Sequence, residues 1–275
     1  YSSHFNEKIG QDNQILNARP DMTWAEFDVK AMVDSAKNDP SVIMWSIGNE
    51  ITEGTTGDTS NYPNIANNLI TWIKQIDQSR PVTLGDNQLG NATLDQINDL
   101  ITKAGGVVGK NYKKPAQLEE VRKQHPDWIL YGSETASAIH SRGVYNTYGK
   151  DDKNLQMSEY DNDSAVVGWG DSASDAWKYV IENDWNAGEF VWTGFDYIGE
   201  PTPWNGISTG SVSQQGAKPK SSYFGIVDTA GFPKDTYYLY RSIWNHDSHT
   251  LSLMSTWNDN EIVKDKDGKV QVDVY

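Results

Sequence analysis

The chain is predicted to be an α/β protein built on a parallel sheet, and three observations carry that prediction. Short, mostly apolar runs alternate with longer segments whose apolar residues fall at helical spacing, as βα units require. No Gly-x-Gly-x-x-Gly or Gly-x-x-x-x-Gly-Lys-Ser/Thr comes after any of these runs, so a dinucleotide or P-loop fold gains no support. Two long stretches, roughly residues 135–170 and 196–222, lie beyond the ends of apolar runs. Loops of that length in a compact domain are usually functional.

Residues 1–20 are polar and irregular, and a capping box, Thr23-Trp24-Ala25-Glu26, then opens a helix with Trp24, Phe27 and Ala31 predicted on one face. Asp39-Pro40 stops that helix, and Val42 to Ile47 reads as a strand buried on both faces. Pro63 opens a second helix, with Ile65, Leu69, Trp72, Ile73 and Ile76 at helical spacing up to Arg80-Pro81. Val82 to Leu84 is the next strand, and Leu94, Ile97 and Ile101 mark the next helix. A strand at Val107-Val108 and a helix through Leu118 and Val121 come before the strand from Trp128 to Tyr131. Ala176, Trp177, Val180 and Ile181 make a further helix, and Glu189 to Phe195 a fifth strand. Near the end the texture changes. Leu251 to Trp257 and Lys269 to Tyr275 read as strands, with Asp265-Lys266-Asp267-Gly268 as a turn between them.

Composition narrows the function. The net charge is −15, a surface that repels phosphate backbones, so nucleic acid is not an expected partner. The chain has no cysteine, which excludes disulfides, thiolate catalysis and Cys-ligated zinc. No apolar run approaches the length of a membrane span. Tyr1-Ser2-Ser3-His4 shows no signal peptide, although a fragment would hide one; a secreted or cell-surface location is expected over a cytoplasmic one. Trp and Tyr number 11 and 14 against 6 Phe, which suits sugar rings with C–H faces and hydroxyl edges but also serves large cores.

Two carboxylates carry the chemistry. Trp45-Ser46-Ile47-Gly48-Asn49-Glu50 ends an apolar strand in a carboxylate, and Tyr131-Gly132-Ser133-Glu134 repeats the arrangement. Either glutamate alone would be an ordinary solvated side chain. As a pair on one barrel face they meet the demand of glycoside hydrolysis, in which one group protonates the leaving oxygen and the other attacks or activates water. Ser133 has no histidine partner in its sequence context, so a serine triad is not suggested.

The segment Asn38-Asp39-Pro40-Ser41-Val42-Ile43-Met44-Trp45-Ser46-Ile47-Gly48-Asn49-Glu50 resembles the acid/base signature of family-2 glycoside hydrolases. Tyr131-Gly132-Ser133-Glu134-Thr135-Ala136-Ser137 resembles that family's nucleophile segment, and Phe190 to Pro201 its last barrel strand. Ser222 to Asp228, with Gly231-Phe232-Pro233-Lys234-Asp235, is similar to the segment after the last barrel strand in the β-galactosidase branch. The matches run from about Thr23 to Trp257. The resemblance implies a (β/α)8 TIM barrel in which residues 1–248 supply strands four to eight, and residues 249–275 begin a β-sandwich. The family's acid/base sits on barrel strand four and its nucleophile on strand seven. The five strands read independently from the apolar pattern, numbered four to eight, place Glu50 and Glu134 on those two. Strands one to three are expected from the rest of the polypeptide.

The resemblance also implies roles. Glu50 is the general acid/base and Glu134 the nucleophile of a retaining exo-β-glycosidase acting on terminal β-linked sugars. The expected specificity is for β-galactosides. Another family-2 specificity such as β-glucuronidase, or a non-catalytic carbohydrate-binding fragment, is the alternative. Asn49 is implied to contact the sugar 2-hydroxyl, Tyr112 to hydrogen-bond the nucleophile, and Trp192 to form the platform under the sugar. Asp196 and Glu200 either bind hydroxyls or pair with Arg142 or Lys220. No cofactor is evident and no metal ligand is assigned. The five histidines show no metal-ligand spacing, but a divalent cation such as magnesium stays open because the family's ligands come mostly from earlier strands. Structural roles are expected for His125, His246 and His249, while His140, just beyond the nucleophile segment, is a minor candidate for substrate contact.

Overall fold

The predicted alternation is present in the computed structural model, which describes residues 22–145, 157–202, 220–254, 257–258 and 262–275. The irregular start at residues 1–20, His4, and the middles of both long loops lie outside the described residues. The elements are α1 (Trp24–Ala36), β1 (Trp45–Asn49), α2 (Tyr62–Ile76), β2 (Val82–Asp86), α3 (Ala92–Lys103), β3 (Val108–Asn111), α4 (Pro115–Gln124), β4 (Leu130–Ala136), α5 (Ala173–Ile181), β5 (Asn186–Trp192) and α6 (Asp235–Trp244). The strands succeed one another across a single five-stranded sheet in chain order, β1-β2-β3-β4-β5. Consecutive parallel neighbours joined by helices are the topology of a partial (β/α)8 barrel.

Two compact units divide the chain, with the boundary inside β4 between Ser133 and Glu134. The first holds the residues up to Asn111 together with Ala116–Ser133. Its core is the apolar face of the helices laid on β1 and β2: Val29, Val33, Ala66, Leu69, Ile73, Leu94, Ile97 and Ile101 pack with Trp45, Ile47, Val82 and Leu84. The face predicted for α1 is wrong. Phe27 is 40% exposed, and Ala25, Val29 and Val33 point inward instead. Those three recur every fourth residue, so they share a face as well as the larger side chains would.

Arg80 fixes the entry to β1. Its guanidinium donates to the carbonyls of Lys37 (2.7 Å), Asp39 (3.1 Å) and Val42 (2.6 Å) and to the Asp77 carboxylate (2.8 Å). Asp77 in turn accepts from the Trp45 indole N–H at 2.9 Å. Bonds from Ser79 first, then from Trp45 and Arg80, outweigh burial and hold the Asp77 carboxyl well below the usual range. The breaker predicted at Asp39-Pro40 is thus tied down from another βα unit.

In the second unit, Ile139, Met157, Val167 and Phe224 form one core cluster. Ala173, Leu239 and Tyr240 form another, under α5 and α6. Helix α6 is absent from the sequence prediction: it is Tyr-rich and its buried residues are Thr236, Leu239 and Tyr240, a short stripe that periodicity reads poorly. Among the described residues the two terminal segments pair antiparallel over a short stretch: Leu253 bridges Val274, and Ser252 and Tyr275 exchange backbone hydrogen bonds at 2.7 and 3.0 Å. The turn between them is formed, with the Gly268 N–H donating to Asp265 at 3.0 Å and Gly268 at φ 77°. Among the described residues no helix is long and apolar enough to cross a membrane.

Candidate active site

In the first unit the site begins at the end of β1. The β1–β2 register slips between Ser46 and Asn49, which leaves Asn49 opposite Gly85. Such irregularities re-aim side chains at strand ends. Glu50 comes next at φ 48°, in the left-handed region that a non-glycine residue seldom occupies, while its N–H donates to the Gly85 carbonyl at 2.9 Å. Strain of this kind persists where surrounding structure over-determines it, and it clusters at functional sites.

Asn111, the last residue of β3 and fully buried, meets both residues. Its amide nitrogen donates to Asn49 Oδ1 at 3.0 Å and to Glu50 Oε1 at 2.8 Å. Its amide oxygen accepts from Ser133 Oγ at 2.6 Å. Gly85 and Gly109, paired across β2 and β3, leave the room for this cluster. A Cβ on Gly85 would fall 2.2 Å from Asn49 Oδ1, and one on Gly109 2.6 Å from Ser133 Oγ. Asp86 and Lys110, next to those glycines in sequence, form an ion pair at 2.5 Å with both side chains 1% exposed, and Asn98 also donates to Asp86 at 3.1 Å. A buried pair this well bonded locks the two strand tips together.

The second unit holds the other carboxylate. Glu134 lies within β4, which runs on to Ala136 rather than ending at Tyr131 as predicted. The Tyr112 N–H donates to the Glu134 carbonyl at 2.8 Å, and the Tyr112 hydroxyl donates to Glu134 Oε2. Tyr112 reaches this position at φ 57°, again left-handed. At the end of β5 the Trp192 ring meets Tyr197 edge-on, centroids 5.8 Å apart. Burial first, then the bond to Glu200 and the charges of Glu200 and Glu134, push the Tyr197 phenol up, so it stays protonated. Its hydroxyl donates to Glu200. Glu200 itself is exposed.

Asp196 does not meet the partners expected of it. It pairs with Lys234 at 2.9 Å and accepts from the Gly225 N–H at 2.7 Å. Arg142 pairs instead with Asp228, at 2.6 Å. Lys234 is 1% exposed and also donates to the carbonyls of His140 (2.8 Å) and Tyr223 (3.2 Å). His140 is buried. Burial first, then the Lys234 charge, hold its imidazole down to about 3, so it stays neutral. His125 stacks on Trp128 with centroids 3.7 Å apart. Among the described residues no three His, Asp or Glu side chains gather as a metal would need.

Sequence reasoning misses Asn111, Tyr197, Lys234 and the Asp86–Lys110 pair. One signal is present in the chain: Asn111 and Ser133 immediately precede Tyr112 and Glu134, so two candidate tips carry adjacent polar residues.

A family model described as the TIM barrel domain of family 2 glycosyl hydrolases matches residues 2–226. The β-galactosidase BoGH2A of Bacteroides ovatus is 34% identical over an alignment covering 86% of this chain and 30% of that protein. A glycosyl hydrolase family 2 member from Bacteroides cellulosilyticus, 27% identical, superposes with a TM-score of 0.57 over 83% of this chain and 24% of that one. The β-glucuronidase of Bacteroides uniformis shares the fold at 19% identity, with a TM-score of 0.56 over 84% of this chain and 27% of its own. The chain spans 30% of the length of the first of these relatives.

Proposed function

The chain belongs to glycosyl hydrolase family 2, as part of its TIM barrel domain, and from that premise we propose that the full-length protein is a retaining exo-β-glycosidase acting on terminal β-galactosides. The observation that carries this reading is the Tyr112 hydroxyl bonded to Glu134. A hydrogen bond to the charged form keeps a carboxylate ionised, as a nucleophile must be.

Glu134 attacks the anomeric carbon as the glycosidic C–O bond breaks, and Glu50 gives its proton to the departing oxygen. Glu50 then takes a proton from water, whose oxygen displaces Glu134 and releases the sugar with its configuration retained. Asn49 holds the 2-hydroxyl, a contact that strengthens in the transition state. Trp192 offers its face to the sugar ring, with Tyr197 braced against it. Glu200, on the loop beyond β5, is the further candidate for hydroxyl contact, Asp196 being held by Lys234 and the Gly225 N–H.

The galactoside reading draws on the similarity to a β-galactosidase at 34% identity. A glucuronide would need a cation for its carboxylate. Lys234 is not available for that, being buried with its N–H groups given to Asp196, His140 and Tyr223. Paired chromogenic galactoside and glucuronide substrates test the choice, and turnover of neither would leave another family-2 specificity or a binding function.

The mechanistic test uses two variants of the full-length protein. Glu134→Gln is expected to abolish turnover on every substrate. Glu50→Ala is expected to spare the first step for dinitrophenyl leaving groups, which need little protonation, and added azide then restores the second step. Equal loss on good and poor leaving groups without azide rescue would remove Glu50 from this role.

A further inference from the structure

We propose that Asn111 is a positioning residue for the acid/base: it holds one oxygen of Glu50, so that the other oxygen carries the proton that Glu50 delivers. This rests on Glu50 being the acid/base and adds a residue to that role.

The orientation of the Asn111 amide is forced by its neighbours. Both as the ionised base and as an acid with its proton on Oε2, Glu50 offers Oε1 only as an acceptor, so the NH2 group of Asn111 is the side that faces it, at 2.8 Å. Its second hydrogen goes to Asn49 Oδ1 at 3.0 Å. The carbonyl oxygen is thereby turned to Ser133, whose hydroxyl has to donate, at 2.6 Å. A flipped amide would set oxygen against oxygen at Glu50 and at Asn49. Polarity therefore runs one way, from the Ser133 hydroxyl through Asn111 to the two residues at the tip of β1.

The chemistry is constrained on both sides of the amide. Glu50 Oε1 accepts from Asn111 and is therefore the carbonyl-like oxygen of the acid form, so the proton to be delivered sits on Oε2. The same N–H favours the ionised carboxylate that must form as the proton leaves and must then act as base. Asn49 has its oxygen occupied, so its NH2 is the group it presents, and a sugar hydroxyl meeting it accepts through oxygen. The cluster is built rather than incidental. Asn111 is 0% exposed, and the space it shares with Asn49 and Ser133 exists only because positions 85 and 109 lack a Cβ. Asn111 is separated from Glu50 by 61 residues and from Ser133 by 22, so segments from three strands converge on one amide.

The test uses the full-length protein with aryl β-glycosides of the sugar the wild type cleaves, graded by leaving-group acidity. Asn111→Ala removes the donor. Asn111→Asp keeps the size and shape but replaces the donor by an acceptor. Both are expected to lower kcat/KM on poor leaving groups by roughly tenfold or more, the worth of a hydrogen bond to a charged group. Loss on dinitrophenyl substrates should be slight, and Asn111→Asp should be at least as damaged as Asn111→Ala. Where an Asn111 variant does not fold, Ser133→Ala carries the test, because it removes only the donor that orients the amide. It should show the same leaving-group dependence at smaller size. Glu50→Ala is run alongside. A steep leaving-group dependence in Glu50→Ala, with uniform loss in the Asn111 and Ser133 variants or wild-type activity in Asn111→Asp, would reduce Asn111 to packing and overturn the proposal while leaving Glu50 in place. A flat dependence in Glu50→Ala would overturn the reading of Glu50 and the proposal with it.

Discussion

Glu159 shows how much of the second unit's electrostatics rests on single buried side chains. It is 1% exposed, and its two oxygens accept the backbone N–H groups of Asp235 at 2.5 Å and Gly143 at 2.9 Å. Burial first, then the nearby Asp235 charge, push its carboxyl up to about 8. The folded protein therefore binds this proton more tightly than the unfolded chain does. The stability involved is complete below the ordinary carboxylate range and is lost as pH rises through about 8. His140 runs the opposite way: its imidazole is held down to about 3, so its contribution is present above the ordinary histidine range and lost as pH falls. Between about pH 6.5 and 8 only Glu159 of the two titrates. Thermal melts of the full-length protein across that window are expected to show a flatter fall of Tm with pH for Glu159→Gln than for wild type. Parallel slopes would mean that Glu159 is not the titrating group.

At the scale of elements, the strand tips are organised by the side chains they lack. Gly85 sits opposite Asn49 on one side and Gly109 on the other. Gly85→Ala is expected to destabilise the protein by about 1–3 kcal/mol, as overpacking does, and to lower activity by displacing Asn49. Gly57, whose Cβ would meet nothing within 4 Å, is the control. Denaturant midpoints and kcat/KM for the two variants measure this, and equal behaviour would show that the tip relaxes without cost. The order and type of β1 to β5 and of α1 to α5 are legible in the sequence, because each has a strong period or a continuous apolar run. Strand ends are less so. Both β2 and β4 run further than predicted, through Gly85-Asp86 and Gly132 to Ala136. Polar residues there are held in the ladder by a neighbouring strand, which local pattern does not reveal.

For the molecule as a whole, the decisive distance is between the two carboxyl groups. A double displacement needs the Glu50 and Glu134 carboxyls about 5–5.5 Å apart, whereas inversion leaves room for water at about 6.5–9.5 Å. A crystal structure of the full-length protein is expected to give the shorter value. A separation near 9 Å in a closed barrel would sink the retaining mechanism.

The sequence by itself determined the βα rhythm, because periodicity and breakers are local, and its short motifs singled out Glu50 and Glu134 as the candidates. Tyr112 is bonded to Glu134 as the resemblance implies. Only the tertiary structure decided which polar residues are buried and whom they serve. Asn111 and Lys110 are adjacent in sequence and both buried. One is turned to Glu50 and the other to Asp86, because successive side chains of a strand point to opposite faces. Lys234 is an ordinary lysine until Asp196 and the carbonyls of His140 and Tyr223 arrive around it from distant segments. A charge or an amide acquires its role from the partner that removes it from water, and that partner is chosen by the fold rather than by the neighbouring sequence.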